Sequence, residues 1–394
     1  MSGGSARGGR IRLGVIGAGS VVREIYKDLY FRSRHSPLLE IAAVADPGAG
    51  ARDWFGDLAG LPASRRFADY RQMLASVALD AVQVNTPDRL HCEPTVAALE
   101  AGLDVVVAKP AATDILELHR MAEAARGAGR LLLVDYHKRG DPRILEARAR
   151  YRTGRYGRLQ VAWLQMLDRI EVVDPNREKP FFASPDFAET NSPVSFLTVH
   201  MADALFFVTG LRPVAVRARG FADRLPALEP RPVRGWDLVD TEVVLEGGAV
   251  AHIVTGWHIP DTAPSLTVQS GRLICVAGMV DLALDAPGLR EVHPAAFSEL
   301  NPLFRHTDAA GRVSGYGIDH PGELYEAIAR RRAGTMPADE LRALSTPEPL
   351  GFGATLVAEA AALSLQAPRE AGREIALGEH VRAALGAAAA EYGC

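Results

Sequence analysis

Lys109 ends an apolar run, Val105-Val-Val-Ala108, and Pro110 stops it. A solubilising lysine needs no such place, whereas one at the end of a buried strand points beyond the sheet. A second feature is Gly17-Ala-Gly19-Ser-Val-Val22, which matches the first two glycines of G-x-G-x-x-G and has Val22 at the third. Gly17 would permit the tight turn, and Gly19 would let backbone N–H groups approach a pyrophosphate. Ser20 and Val21 would open the following helix, whose dipole favours an anion. A third feature is Asp46, at the end of an apolar segment. Its carboxylate would accept the adenosine ribose hydroxyls and repel a 2′-phosphate, which favours NAD; Arg52 just downstream leaves NADP possible.

The elements that must position these residues alternate. Ile11–Ile16, Leu39–Ala45, Ala81–Val84, Asp104–Val107 and Leu131–Val134 read as short apolar strands. Val21–Tyr30, His91–Ala101 and Asp114–Ala128 read as helices between them. Fully apolar strands separated by helices predict a parallel sheet covered on both faces. Ligands of such sheets bind beyond the carboxyl ends of the strands, where Gly17, Asp46, Asn85, Lys109 and Asp135 fall. The chain has 394 residues, 48% hydrophobic and 23% charged, with a net charge of −4. That length predicts two domains. The charge shows no basic stripe for nucleic acid, and no apolar run reaches the ~20 residues of a membrane span. Cys92, Cys275 and Cys394 are scattered, which fits a reducing cytoplasm and no disulfide framework. No H-x-x-x-H or Cys/His clamp occurs, so no metal is expected. The Gly/Ser/Arg-rich residues 1–10 read as a disordered tail rather than a signal peptide.

The segment AVQVNTPDRLHCEPTVAALEAGLDVVVAKPAA (81–112) closely resembles the glucose-fructose oxidoreductase / inositol dehydrogenase (Gfo/Idh/MocA) family. That family writes T-P, a histidine four residues later, A-G before a strand, and E-K-P. Here these are Thr86-Pro87, His91, Ala101-Gly102 and Ala108-Lys109-Pro110. The resemblance implies an N-terminal Rossmann doubly wound sheet, placed at 1–138. It also implies a C-terminal α+β domain, placed at 139–394, with a large open, mostly antiparallel sheet. It implies NAD(P) as cofactor, bound also by Asn85, Thr86, Pro87, His91 and His137, and Lys109 at the reacting oxygen and the nicotinamide ribose. A cation there stabilises a developing alkoxide. It implies a cis Lys109–Pro110 bond as well. The glutamate of E-K-P is replaced by Ala108, so another group must orient the lysine.

In the second half, Gly157–Leu167, Pro213–Arg219, Thr241–Leu245, Ala249–Trp257, Ser265–Gln269 and Arg272–Val276 read as strands, with a hairpin turn at Gly247-Gly248. Asn191-Ser-Pro-Val-Ser-Phe-Leu-Thr-Val-His200-Met-Ala-Asp203 resembles the family's G-G-x-x-x-D-x-G-x-H-x-x-D, with Phe196 at the aspartate four before the histidine and Thr198 at the glycine two before it. His200 is the expected general acid/base, since imidazole titrates near neutrality. Trp163, Asp203 and Tyr316 join Lys109 and His200 as expected substrate contacts. The implied function is an NAD(P)-dependent oxidoreductase acting on a sugar, cyclitol or sugar-like alcohol or carbonyl. The implied assembly is a homodimer or homotetramer through the C-terminal sheet. Two other readings keep the fold: a dinucleotide-binding regulator without turnover, and a site using NAD transiently for elimination or glycoside cleavage.

Overall fold

The computed structural model describes residues 9–178, 182, 186–263, 265–286, 288–293, 296–366 and 372–394. The tail expected at 1–10 lies outside them up to residue 8. The chain forms two compact units. The first comprises Met1–Ala112, Glu117–Gly140 and Leu303–Leu350; the second comprises Thr113–Leu116, Asp141–Pro302 and Gly351–Cys394. Residues 303–350, placed by sequence in the C-terminal domain, therefore cluster with the N-terminal one.

The first unit is built on six parallel strands: β1 (Ile11–Ile16), β2 (Leu39–Ala45), β3 (Arg66–Phe67), β4 (Ala81–Val84), β5 (Asp104–Ala108) and β6 (Leu132–Asp135). Their order is β3-β2-β1-β4-β5-β6. The order reverses between β1 and β4, the switch point at which such sheets open a ligand crevice. Two helices, Ala49–Leu58 and Tyr70–Ser76, and the short β3 escaped the sequence reading. The returning segment explains itself through its helix, Asp319–Arg332. Tyr325 and Ile328 of that helix are fully buried in one cluster with Leu13, Val15, Tyr26 and Val106. Arg331 Nη1 also sits 3.1 Å from the buried Asp104, and Arg332 Nη1 is 2.5 Å from Asp80. A sequence window cannot show this, because the partners are remote in the chain.

The second unit carries β7 (Leu159–Arg169), β8 (Pro213–Phe221), β9 (Leu238–Leu245), β10 (Val250–Ile259), β11 (Thr267–Cys275) and β12 (Gly278–Ala283). Their order is β12-β11-β7-β10-β9-β8, with Ile375–Ala376 beyond β8. Every pair is antiparallel except β7 with β10, which is parallel. The two strands expected within 265–276 are one strand, β11. Ser270-Gly271 looks like a turn, but a Cβ at Gly271 would stand 3.3 Å from Leu164 Cδ2, so the glycine serves close packing inside the sheet. Gly247 and Gly248 do form the β9–β10 turn, with φ of 77° and 80°.

Below the first sheet's switch point lies a buried polar chain. Tyr325 donates its hydroxyl to Gln83 Oε1, and Gln83 Nε2 donates to Asn85 Oδ1 at 3.0 Å. Tyr325→Phe leaves the Gln83 oxygen buried without a donor. It should cost about 1–3 kcal/mol, read as a lower urea midpoint at unchanged slope.

Candidate functional site

The glycine loop leaves β1 with Gly17 at φ 86°. A Cβ there would lie 2.8 Å from the Asn85 carbonyl carbon and oxygen, so the turn requires glycine. At Gly19, by contrast, no described atom lies within 4 Å of a Cβ position. The backbone there is open on that side, as the close approach of a pyrophosphate requires. The helix that follows contains a π turn, Val22–Tyr26, before its α-helical part Lys27–Arg32. Such turns re-aim side chains within a helix. Here Val22 and Tyr26 are fully buried, and Val22 fills the place of the third glycine. Asp46 supports the loop directly: Oδ2 accepts the Ala18 N–H at 2.8 Å and Oδ1 the Gly48 N–H at 2.7 Å. Each carboxylate oxygen keeps acceptor capacity for a ribose hydroxyl. Arg52 Nη1 donates to the Asp46 carbonyl oxygen at 2.8 Å, so its guanidinium stands beside the acid.

The ends of β4 and β5 are tied together by one histidine. His91 is fully buried. Its Nδ1 is 2.7 Å from the Pro110 carbonyl oxygen and its Nε2 is 2.7 Å from that of Thr86. Both ring nitrogens are thus committed to backbone, and His91 is a brace rather than the expected cofactor contact. Asn85 Nδ2 reaches the Gly17 carbonyl at 3.4 Å, and Thr86 caps its own turn through Leu90. Pro87 is exposed beside them. Lys109 is half-buried, and the Lys109–Pro110 bond is cis. Carboxylates stand on the strand ends to either side. Asp88 follows β4; burial pushes its carboxyl up, while electrostatic interaction with Lys109 and then His91 opposes the shift. Asp135 ends β6 in register with Ala108.

Asp135 gathers a cluster that the sequence reading did not assemble. It is fully buried. Tyr26 donates to its Oδ2 at 2.8 Å, His137 Nδ1 lies 2.8 Å from the same oxygen, and His320 Nδ1 is 2.9 Å from Oδ1. Burial raises the Asp135 pKa, but the facing imidazoles of His137 and His320 outweigh it and hold the group well below the usual carboxylate range. Tyr316 joins this cluster, edge-on to His137 at 4.7 Å and stacked on Phe304 at 5.1 Å.

In the second unit, His200 and Asp203 lie one turn apart on the Val199–Thr209 helix, and both are buried. The helix follows a π turn, Val194–Thr198. Phe196 packs edge-on against Phe187, which packs against Trp257. Thr198 Oγ1 meets Thr255 Oγ1 at 2.7 Å, pinning the helix start to β10. Phe196 and Thr198, which depart from the related pattern, are thus held by contacts of their own. Trp163 does not join that site. Along β7, Ala162, Leu164 and Met166 are buried, whereas Trp163 is 50% exposed and stacks on His252 of β10 at 4.4 Å. It points away from the buried face, correcting its expected substrate contact.

Comparison with known proteins agrees with these features. The family model described as oxidoreductase family, NAD-binding Rossmann fold (GFO_IDH_MocA) matches residues 11–136. A D-glucoside 3-dehydrogenase of Escherichia coli is 30% identical over 54% of this chain and 58% of its own length. An inositol 2-dehydrogenase of Acidothermus cellulolyticus is 26% identical over 90% of this chain and 93% of its own. The chain spans about half the length of the first curated relatives it matches, 58% and 49%. Among solved structures, an inositol dehydrogenase homolog from Azotobacter vinelandii complexed with NAD+ superposes with a TM-score of 0.71 at 22% identity, over 95% of this chain and 100% of that one.

The Thr198–Thr255 pair yields a stability test. Thr198→Val leaves a buried hydroxyl without its partner and should cost about 1–3 kcal/mol. The Thr198→Val/Thr255→Val double variant should recover part of that loss, since both hydroxyls then leave together. Thermal denaturation of the three proteins reads the coupling.

Proposed function

We propose that this chain is a member of the Gfo/Idh/MocA oxidoreductase family and an NAD(P)-dependent dehydrogenase acting on a CH–OH group of a sugar, cyclitol or related carbonyl compound. The observation that carries the reading is the combination of an open glycine loop, an acid at the end of β2 and a lysine at the end of β5 on one parallel sheet. The names of its relatives, glucoside and inositol dehydrogenases, support the substrate class. When bound, the nicotinamide supplies or accepts the hydride.

This chain's own residues do the rest. Gly17, Gly19, Ser20 and Val21 offer backbone groups to the pyrophosphate. Asp46 takes the adenosine ribose hydroxyls, and its charge disfavours a 2′-phosphate. Lys109 holds the reacting oxygen and stabilises the negative charge that develops on it. His200, with Asp203 one turn on, is the acid/base and substrate-orienting pair of the second unit. Tyr316, beside His137, lines the mouth of the first unit's crevice. The outer face of the second sheet exposes Trp163, Ile274 (37%) and Met279 (57%). It supports a homodimer or homotetramer, to be read by light scattering. No described helix is long and apolar enough to cross a membrane, and the free cysteines fit a cytoplasmic place.

The deciding experiment is a fluorescence titration with NADH and, separately, NADPH. We expect saturable binding, tighter for NADH by about tenfold, a difference of ~1.4 kcal/mol, and a narrower ratio in Asp46→Ser. Absence of binding to both, in protein carrying no nicotinamide already, would overturn the reading. Lys109→Met should leave the NADH Kd within about threefold and lower kcat by about 10²–10⁴ on whichever polyol a substrate panel finds. An unchanged kcat would remove Lys109 from the chemistry.

A further inference from the structure

His320 stands in the first turn of the Asp319–Arg332 helix, in the segment that returns to the first unit. Its imidazole is oriented by Asp135 through the 2.9 Å contact at Nδ1. The Asp135 carboxylate already accepts the Tyr26 hydroxyl, and it accepts from the imidazole in the same way, so the ring nitrogen that faces it carries the hydrogen. In the neutral imidazole the lone pair then falls on Nε2. Among the described residues Nε2 has no hydrogen-bond partner. The side chain keeps 11% of its surface exposed, against 5% for His137.

The position of this acceptor is set by the sheet. Asp135 is the register partner of Ala108, the residue before Lys109. Neighbouring strands run about 4.8 Å apart, and register partners present their side chains to the same face. The carboxylate absent at Ala108 is therefore present one strand across, at the same level. It is engaged with Tyr26, His137 and His320.

We propose that His320, fixed by Asp135 as a hydrogen-bond acceptor, binds a sugar-like hydroxyl in the crevice at the carboxyl ends of β5 and β6. Two sources supply that chemistry, the cofactor's ribose and the polyol substrate. The proposal rests on the dehydrogenase reading for its ligand, but not for the state of the ring. Asp135 is a positioning residue in it, and His320 is the binding one.

The test compares wild type, His320→Gln, His320→Ala and Asp135→Asn, with two probes: NADH, and myo-inositol added to the NAD-saturated protein. Glutamine keeps an acceptor and alanine removes it. If the hydroxyl is the ribose's, His320→Ala should weaken NADH by about 3- to 10-fold, with partial recovery in His320→Gln. If it is the polyol's, NADH binding should hold while myo-inositol binding weakens by the same factor. Independently of any ligand, nitrogen-15 spectra of the histidines should show His320 protonated at Nδ1 near neutral pH, and Asp135→Asn should disturb that signature. An Nε2–H tautomer in the wild type, or His320→Ala with neither affinity changed, would overturn the proposal. Failure of the wild type to bind NADH would instead strike the dehydrogenase reading, while the tautomer measurement would still report on the Asp135–His320 pair.

Discussion

Parallel strands that end together leave peptide groups that no further strand can pair, and buried peptide groups must find partners. In the first unit polar side chains meet that requirement. Asp46 takes the N–H groups of Ala18 and Gly48, Asn85 reaches the Gly17 carbonyl, and His91 spans the carbonyls of Thr86 and Pro110. Each contact joins the end of one strand to the turn after it or after a neighbour. The groups that would hold a dinucleotide are thus placed by the hydrogen bonding that lets the sheet end at all.

The same constraint explains why charged groups accumulate at this edge. A buried carboxylate is tolerated only with donors or cations around it. Asp135 has a tyrosine and two histidines, and Asp88 has Lys109 and His91 within electrostatic reach. Lys109 therefore ends its strand between two acid-bearing neighbours, although the residue immediately before it is alanine.

The second unit shows a different kind of adjustment. Phe196 and Thr198 replace a charged residue and a glycine of the related pattern. Each has a partner: Phe196 an aromatic group with Phe187 and Trp257, Thr198 the hydroxyl of Thr255. A polar anchor has been exchanged for packing and one hydroxyl pair, with His200 still on the first turn of its helix.

Much of this was legible in the sequence. Predominantly apolar runs of strand length, each ending in a glycine, an acid, an asparagine or a lysine, set the parallel sheet and the edge at which its ligand groups collect. The spacing from Thr86 through Lys109 carried the resemblance to the Gfo/Idh/MocA family. What the sequence could not show were relations between remote segments. The helix carrying His320 and Tyr325 joins the first unit because its apolar face completes a core made by residues near the N-terminus. Asp135 stands beside Ala108 only because β5 and β6 pair in that register. Trp163 faces outward because its strand's alternation turns its neighbours, Ala162 and Leu164, inward. Local patterns determined which residues could do chemistry; strand order, register and the return of a distant helix decided which of them meet.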